Sequence, residues 1–303
     1  MANRLRTLLA GRPALFDGGY GWLLQERALA PGECVESLNL TDPERVGMLH
    51  EQYAAAGATI ISTNTFGANG ARLAAYGLSG RVEEVNRAGA AIARGVADRH
   101  GVLVAGATGP TGELLEPLGT LSREMAVELY AEQIHWLAKE GVDLVLVETM
   151  SDLGEARAAV AAARRAAPDL PVVATFSFDT NLHTMMGVSP RDAVLSLTAE
   201  GVDGVGANCG NGPEEMAAVA EQLVAARDAE QLVAARDTDV VLVAQSNAGL
   251  PELDGDRFVY PAGPEVMAAH AVVLHDLGVD VVGACCGSTP EHVRAMAAAL
   301  ADA

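Results

Sequence analysis

Two adjacent cysteines close an apolar run and lie between two glycines, in Val281-Val282-Gly283-Ala284-Cys285-Cys286-Gly287-Ser288-Thr289-Pro290. Consecutive side chains of an extended strand point to opposite faces. Both thiols can therefore reach one point only if the backbone turns, and Gly283 and Gly287 supply that freedom. A third cysteine has a similar setting, in Val205-Gly206-Ala207-Asn208-Cys209-Gly210. Three glycine-flanked thiols at strand ends suggest a three-sulfur metal site with an open fourth position. Zinc suits that donor set, being tetrahedral, borderline-soft and a ready thiolate binder. Inert buried thiols and a strained vicinal disulfide compete with this reading, but the glycine brackets and the matching context of Cys209 favour metal. Cys34, in Pro31-Gly32-Glu33-Cys34-Val35, lacks that context and reads as a packed bystander. Close-spaced C-x-x-C pairs are absent, so distant parts of the chain must assemble the site.

Short apolar runs alternate with helical patterns along the chain. The runs are 14–19, 58–65, 102–107, 143–148, 171–178, 202–207, 239–245 and 280–284, with helical stretches expected between them and from Pro290 to Leu300. Thr41-Asp42-Pro43-Glu44 has the form of a capping box with proline in the first turn, opening a helix to about Ala56. Continuously apolar strands, each followed by a helix, are what an all-parallel sheet needs. Eight of them predict a single (β/α)8 barrel, a TIM barrel, over residues 1–303, with a doubly wound sheet as the alternative. A tandem repeat, Glu221–Asp228 recurring as Glu230–Asp237, is spaced by nine residues. That is two and a half helical turns at ~3.6 residues per turn, so a continuous helix would turn the second copy's apolar side outward, and a break is expected near Asp228.

In such a barrel the functional groups lie at the C-terminal ends of the strands. Those ends read Asp17-Gly18-Gly19, Thr63-Asn64-Thr65, Gly109-Pro110, Glu148, Phe178, Asn208-Cys209, Gln245-Ser246-Asn247 and Cys285-Cys286. All three candidate metal ligands share that rim with two carboxylates, Asp17 and Glu148. A charge ending an apolar strand is costly unless paired. A helix cap or an arginine partner is one explanation, and reception of a substrate ammonium group is the other. A phosphate loop at Gly18-Gly19-Tyr20-Gly21 lacks the spacing and the lysine of a P-loop. No histidine sits at a strand end, which argues against a histidine-ligated hydrolase barrel.

The charge balance narrows the partners. The chain carries a formal charge of -20, and Lys139 is its single lysine among 20 basic residues. Phosphate contacts need clustered cations, so neither nucleic acid nor an anionic membrane is expected. The apolar runs are too short for a membrane span, no secretory signal is read at the N-terminus, and four cysteines suit a reducing compartment. A cytoplasmic location is expected; oligomeric state is not legible.

The chain resembles the homocysteine S-methyltransferases, the family that includes betaine–homocysteine methyltransferase and the homocysteine-binding module of cobalamin-dependent methionine synthase. The resemblance is carried, in order, by Phe16-Asp17-Gly18-Gly19, Thr63-Asn64-Thr65-Phe66-Gly67-Ala68-Asn69, Gly109-Pro110-Thr111-Gly112, Val147-Glu148-Thr149-Met150, Gly206-Ala207-Asn208-Cys209, Ser246-Asn247-Ala248-Gly249-Leu250-Pro251 and Gly283-Ala284-Cys285-Cys286-Gly287. It implies a zinc barrel with Cys209, Cys285 and Cys286 as ligands. It also implies that Asp17 and Glu148 hold the homocysteine amino end, helped by the Gly18 and Gly19 backbone, with Thr63, Asn64 and Asn208 completing the substrate-binding set. Asn247 matches a position that can complete the zinc site in the absence of substrate. Tyr20 and Trp22 depart from the family, standing where Met and Thr are frequent.

The implied reaction is methyl transfer to homocysteine, giving methionine. A free thiol has a pKa near ~8.5 and is mostly protonated at neutral pH; binding at an open zinc position favours the thiolate. With no cobalamin or folate module legible, the donor is expected to be a small onium compound such as betaine or S-methylmethionine, or a methyl-corrinoid on a separate protein. Tyr20, Trp22 and Phe178 are candidates for an aromatic cage, and Thr184-Met185-Met186-Gly187 for the donor side. The competing expectation is a partner-dependent zinc and thiol-binding module, inert toward free small donors.

Overall fold

The computed structural model describes residues 3–9, 14–30, 32–229, 239–255 and 257–302. In chain order the strands are β1 Ile60–Ser62, β2 Leu103–Thr108, β3 Leu144–Met150, β4 Val172–Phe176, β5 Gly204–Cys209, β6 Val241–Ser246, a short pair β7 Glu252–Asp254 and β8 Arg257–Val259, and β9 Val281–Ala284. Strands β1 to β6 and β9 form one parallel sheet in that spatial order. The expected first strand is present as a two-residue bridge. Leu15 pairs with Val282 and Phe16 with Ile60, both parallel; the Phe16 amide donates to the Val282 carbonyl at 2.8 Å and the Asp17 amide to the Ile60 carbonyl at 3.0 Å. This segment fills the eighth position between β9 and β1 and curls the sheet into a TIM-type barrel.

Strand periodicity sorts the apolar side chains into two layers. Phe16, Ile60, Leu103, Leu144, Leu146, Val173, Val241, Val243 and Val281 form one buried cluster inside the barrel. Their chain neighbours, among them Ile61, Val104, Val145, Val147, Leu242 and Val282, pack under the outer helices. The helix Arg4–Leu9 plugs the lower end, its Leu5 only 1% exposed and part of the interior cluster. Each such buried aliphatic contributes about 1.5–3 kcal/mol.

The outer helices follow their strands as the sequence pattern expects, including Pro43–Ala56, Val82–His100, Arg123–Lys139, Leu153–Ala166, Pro264–Leu277 and Pro290–Ala301. One cap is displaced from its expected place. Thr41 ends the preceding short helix Leu38–Thr41, and Asp42 is the N-cap, its carboxylate accepting from the Arg45 amide at 3.2 Å. Aspartate directly before the N1 proline outcompetes the threonine one residue earlier. The helix Pro213–Arg227 ends at the Asp228 cap, within the first repeat copy. The second copy lies in 230–238, outside the described residues. No helix among the described residues is long and apolar enough to cross a membrane.

Candidate active site

Counting by twos along each strand carries the interior layer up to the rim. Above Leu144 and Leu146 on β3 comes Glu148, above Gly204 and Gly206 on β5 comes Asn208, and above Val241 and Val243 on β6 comes Gln245. Above Val281 and Gly283 on β9 comes Cys285. The same strand period that buries valines at the bottom thus aims polar groups into the barrel mouth at the top. There they meet a cavity of about 380 Å³ lined by Asp17, Gly18, Gly19, Glu148, Cys209, Gln245, Cys285 and Cys286, among others.

Cys209 follows Asn208 and would face the opposite side of an undisturbed strand. Its φ of 62 turns it back toward the mouth. On β9 the strand stops at Ala284 and the chain turns through Cys286 and Gly287, the latter at φ +80. Gly287 therefore supplies the left-handed turn expected of it. Gly283 acts differently: a Cβ there would stand 2.7 Å from the Phe16 Cβ, so it provides room rather than a dihedral. The sulfurs of Cys209, Cys285 and Cys286 all lie within 4.8 Å of one another, and Cys209 Sγ is 3.0 Å from Cys285 Sγ.

Hydrogen bonds from Cys209 and Cys285 hold the Cys286 thiol well below its ordinary pKa, while the bond to Cys285 pushes Cys209 well above it. Three thiols this close resist ionising together, and a cation among them would relieve that resistance. A second feature fits a cation. Asn247 donates through Nδ2 to the Gly210 carbonyl at 2.7 Å, but its buried Oδ1 has no partner. Its backbone amide bonds to the Cys209 carbonyl at 3.3 Å, and the next amide, of Ala248, bonds to the Cys286 carbonyl at 2.9 Å. Three clustered thiols match the chemistry of a tetrahedral, sulfur-preferring metal, and Asn247, tied by its backbone to the Cys209 segment, carries a buried oxygen with no partner.

Asp17 is buried, its oxygens accepting from the Ser62 amide at 2.8 Å and the Ser62 hydroxyl at 3.1 Å. Burial outweighs these bonds and raises its pKa to about 7. Glu148 is half-buried at the cavity wall and is pushed up to about 8, by loss of water first, then by Cys285 and Asp17. Neither forms an ion pair among the described residues, and no lysine or arginine lines the cavity. The arginine-partner explanation for Asp17 and Glu148 therefore fails here.

Gly18 and Gly19 pack where a side chain could not: a Cβ on Gly19 would lie 2.6 Å from the Cys285 carbonyl oxygen. The Gly19 amide donates to Ser288 Oγ at 2.8 Å, and that hydroxyl donates to the Cys285 carbonyl at 2.7 Å. The glycine turn beside Asp17 is thereby latched to the cysteine turn. Thr63 and Asn64 also line the cavity, with side chains tied into the protein: Thr63 Oγ1 pairs with Thr65 Oγ1 at 2.6 Å, and Asn64 Nδ2 donates to the Val35 carbonyl at 3.0 Å. The Asn208 amide is likewise committed to protein partners.

Among the expected donor-side groups, Tyr20 and Trp22 line the cavity. Phe178 is buried against Phe176, ring centroids 5.9 Å apart, and does not. Met185 and Met186 line a separate cavity of about 560 Å³ on the same rim, and Thr184 is buried in its loop, donating to the Ser151 carbonyl at 2.6 Å. His183 is bonded within its own loop, to the Asn181 carbonyl. Three contributors had no expectation attached. Ser62 anchors Asp17; Thr149, at φ 60, follows Glu148 at a register shift in β3. Tyr260, delivered by the β7–β8 pair, packs its ring where a Gly287 Cβ would be and against Trp22, with centroids 5.4 Å apart. The β-hairpin was hidden in a polar, proline-bounded stretch, and nothing in a lone Ser or Thr marked the other two.

Fold and site together define a parallel α/β barrel protein with a sulfur-rich pocket that could hold a metal at the C-terminal ends of its strands. The chain belongs to the homocysteine S-methyltransferase family, whose model matches residues 14–300. It is 33% identical over 313 residues to the methionine synthase of Mycobacterium leprae (strain TN) and 34% identical over 314 residues to that of Mycobacterium tuberculosis (strain ATCC 25618 / H37Rv). Each alignment covers 98% of this chain and 25% of the relative, so the chain spans about a quarter of the length of the curated relatives it matches. Its fold is that of the homocysteine methyltransferase MmuM from Escherichia coli. The metallated form superposes with a TM-score of 0.78 at 23% identity and the oxidized form with 0.76 at 25%, each covering 98% of this chain and 99% of that one.

Proposed function

We propose that this chain transfers a methyl group to the sulfur of homocysteine, giving methionine, with Cys209, Cys285 and Cys286 holding zinc. The observation that carries the proposal is the convergence of three sulfurs on a cavity that is also lined by Asp17, Glu148 and Glu36 and by no basic side chain. Asp17 and Glu148 would receive the substrate ammonium group, whose positive charge favours their ionised forms against the burial that now raises both pKa values. The Gly18 and Gly19 backbone, Thr63 and Asn64 shape the wall around the amino acid end. In the substrate-free protein the unpartnered Asn247 Oδ1 would complete the metal's donor set, as its position beside Cys209 and Cys286 supports.

Zinc, when bound, supplies the positive charge that favours the thiolate form of an incoming thiol. The thiol proton leaves to solvent, a sulfur–carbon bond forms, and the bond from the methyl carbon to its former carrier breaks with its electron pair going to that carrier. Fixing the amino end at Asp17 and Glu148 orients the sulfur toward the triad and away from water. In this reading residues 1–303 act as one homocysteine-binding barrel in a reducing, cytoplasmic setting.

The methyl donor is a small onium compound of the betaine or S-methylmethionine type, or a methyl-corrinoid carried by another protein. Tyr20 and Trp22 at the cavity support the onium donor. The quarter-length match to the methionine synthases supports the second reading, a zinc and thiol-binding module that depends on a partner. Purified chain, loaded with zinc and given homocysteine with each donor separately, decides between them. Methionine from a free onium donor upholds the first; homocysteine binding with turnover only on methyl-corrinoid protein upholds the second. If homocysteine does not bind, both readings fall.

A further inference from the structure

Thr149 and Cys209 have φ of 60 and 62, left-handed backbone that non-glycine residues avoid and that is especially costly for a β-branched threonine. They belong to different strands, β3 and β5, and the side chain of Asn208 joins them. The Thr149 amide donates to Asn208 Oδ1 at 2.8 Å, and Thr175 Oγ1 on the intervening β4 donates to the same oxygen at 2.6 Å. A backbone N–H can only donate, so the atom facing it is the oxygen, which fixes the amide's orientation. Asn208 Nδ2 then donates to Thr149 Oγ1 at 2.7 Å and faces the sulfurs of Cys209 at 3.6 Å and Cys285 at 3.9 Å. Both lone pairs and both N–H groups are occupied, and the residue is 1% exposed. No hydrogen-bonding position is left for a substrate.

We propose that Asn208 is a positioning residue: it clasps the strained ends of β3 and β5 and holds an amide donor against the thiol cluster. An amide N–H facing the sulfurs at 3.6 and 3.9 Å withdraws electron density from them, so the clasp both aims Cys209 and adjusts the sulfurs as donors. Because Thr149 follows Glu148, the same amide also fixes the span from the carboxylate to the sulfurs. This second consequence rests on the role assigned to Glu148 under Proposed function; the first does not.

The test compares wild type with Asn208→Asp, which keeps the accepting oxygen but presents a second oxygen to the sulfurs, and Thr175→Val, which removes one anchor without touching any sulfur. Zinc affinity is read by competition with a chromophoric chelator, the sulfur-to-metal absorption band on cobalt(II)-loaded protein, and folding by circular dichroism. Asn208→Asp is expected to weaken zinc binding about 10- to 100-fold and to move the cobalt band to lower energy. Thr175→Val should weaken zinc binding several-fold in a folded protein, which keeps the proposal testable if Asn208→Asp does not fold. Unchanged zinc affinity and an unmoved band in either folded variant would overturn the clasp while leaving the proposed function intact. If wild type itself binds neither metal, the metal reading of the thiols has failed instead.

Discussion

Cys209 Sγ stands 3.0 Å from Cys285 Sγ, although the two residues are separated by 76 positions and arrive on strands β5 and β9 with β6 between them. Two thiolates at that distance would repel by about 5 kcal/mol at an effective dielectric near 20. A cation that neutralises both removes that cost, so the geometry and the metal depend on each other. Wild type is expected to bind one zinc per chain. Cys209→Ala, Cys285→Ala and Cys286→Ala should each lower the bound metal well below one per chain and abolish methyl transfer together with it. Metal analysis of the purified variants, paired with thiol titration before and after chelation, checks this. A triple variant that still methylates homocysteine would sink it.

Asp17 and Glu148 make a separable prediction. If they serve the substrate's ammonium group, Glu148→Gln removes a charge-assisted contact worth about 1.5–3 kcal/mol. The expected loss is roughly 10- to 100-fold in kcat/KM, mostly as a raised KM for homocysteine. Asp17→Asn should behave similarly, with part of its effect arising through the Ser62 bonds. Zinc content should stay at the wild-type value in both. Metal loss in either variant would show that the carboxylates support the cluster instead of the substrate.

The role of Gly287 can be tested by substitution against a second glycine lining the same cavity. Gly287→Ala meets a left-handed φ of +80 and would run into the Tyr260 ring. It should displace Cys286 and weaken zinc binding by at least tenfold. Gly21→Ala, with nothing within 4 Å of its would-be Cβ, is the control on the same rim and should bind zinc like wild type. Equal zinc affinity in the two variants, measured by chelator competition, would refute the assigned role of Gly287.

The barrel and its thiols were legible because both follow from strand periodicity. Apolar runs give the strands, the strands' ends give the rim, and the cysteines and carboxylates sit at those ends. The bridge at Leu15–Phe16 was read as a full strand because Ala14–Phe16 is apolar, yet Gly18-Gly19 breaks pairing at once. The turns at Thr149 and Cys209 left no mark, since neither residue type favours positive φ; tertiary bonds from Asn208 impose it. Asn208 itself could be placed on the rim but not assigned its partners, because its partners Thr149 and Thr175 are contributed by other strands. The Phe178 expectation failed for a related reason: a strand-end aromatic can face outward, and parity at a strand terminus decides which way.

Acid sensitivity should come in part from a buried histidine that is not among the cavity-lining residues. His50 is fully buried, stacked on Tyr20 with centroids 4.5 Å apart, and neither ring nitrogen has a hydrogen-bond partner. Burial pulls its pKa from 6.5 to about 3, and His270, also buried, is pulled to about 4. The neutral ring is the folded form, whereas the unfolded chain takes up a proton below about pH 6.5. Stability is therefore unaffected above that value and falls as pH drops from 6.5 toward 3, by about 1.4 kcal/mol per pH unit for each such histidine. At pH 5 His50 alone should cost about 2 kcal/mol. His50→Phe keeps an aromatic ring against Tyr20 and removes the titration, so its thermal midpoint should fall several degrees less than that of wild type between pH 7 and pH 5. Comparing the two proteins cancels the acid response of the thiols and of His270. Parallel losses in wild type and His50→Phe would mean that the proton responsible is taken up elsewhere.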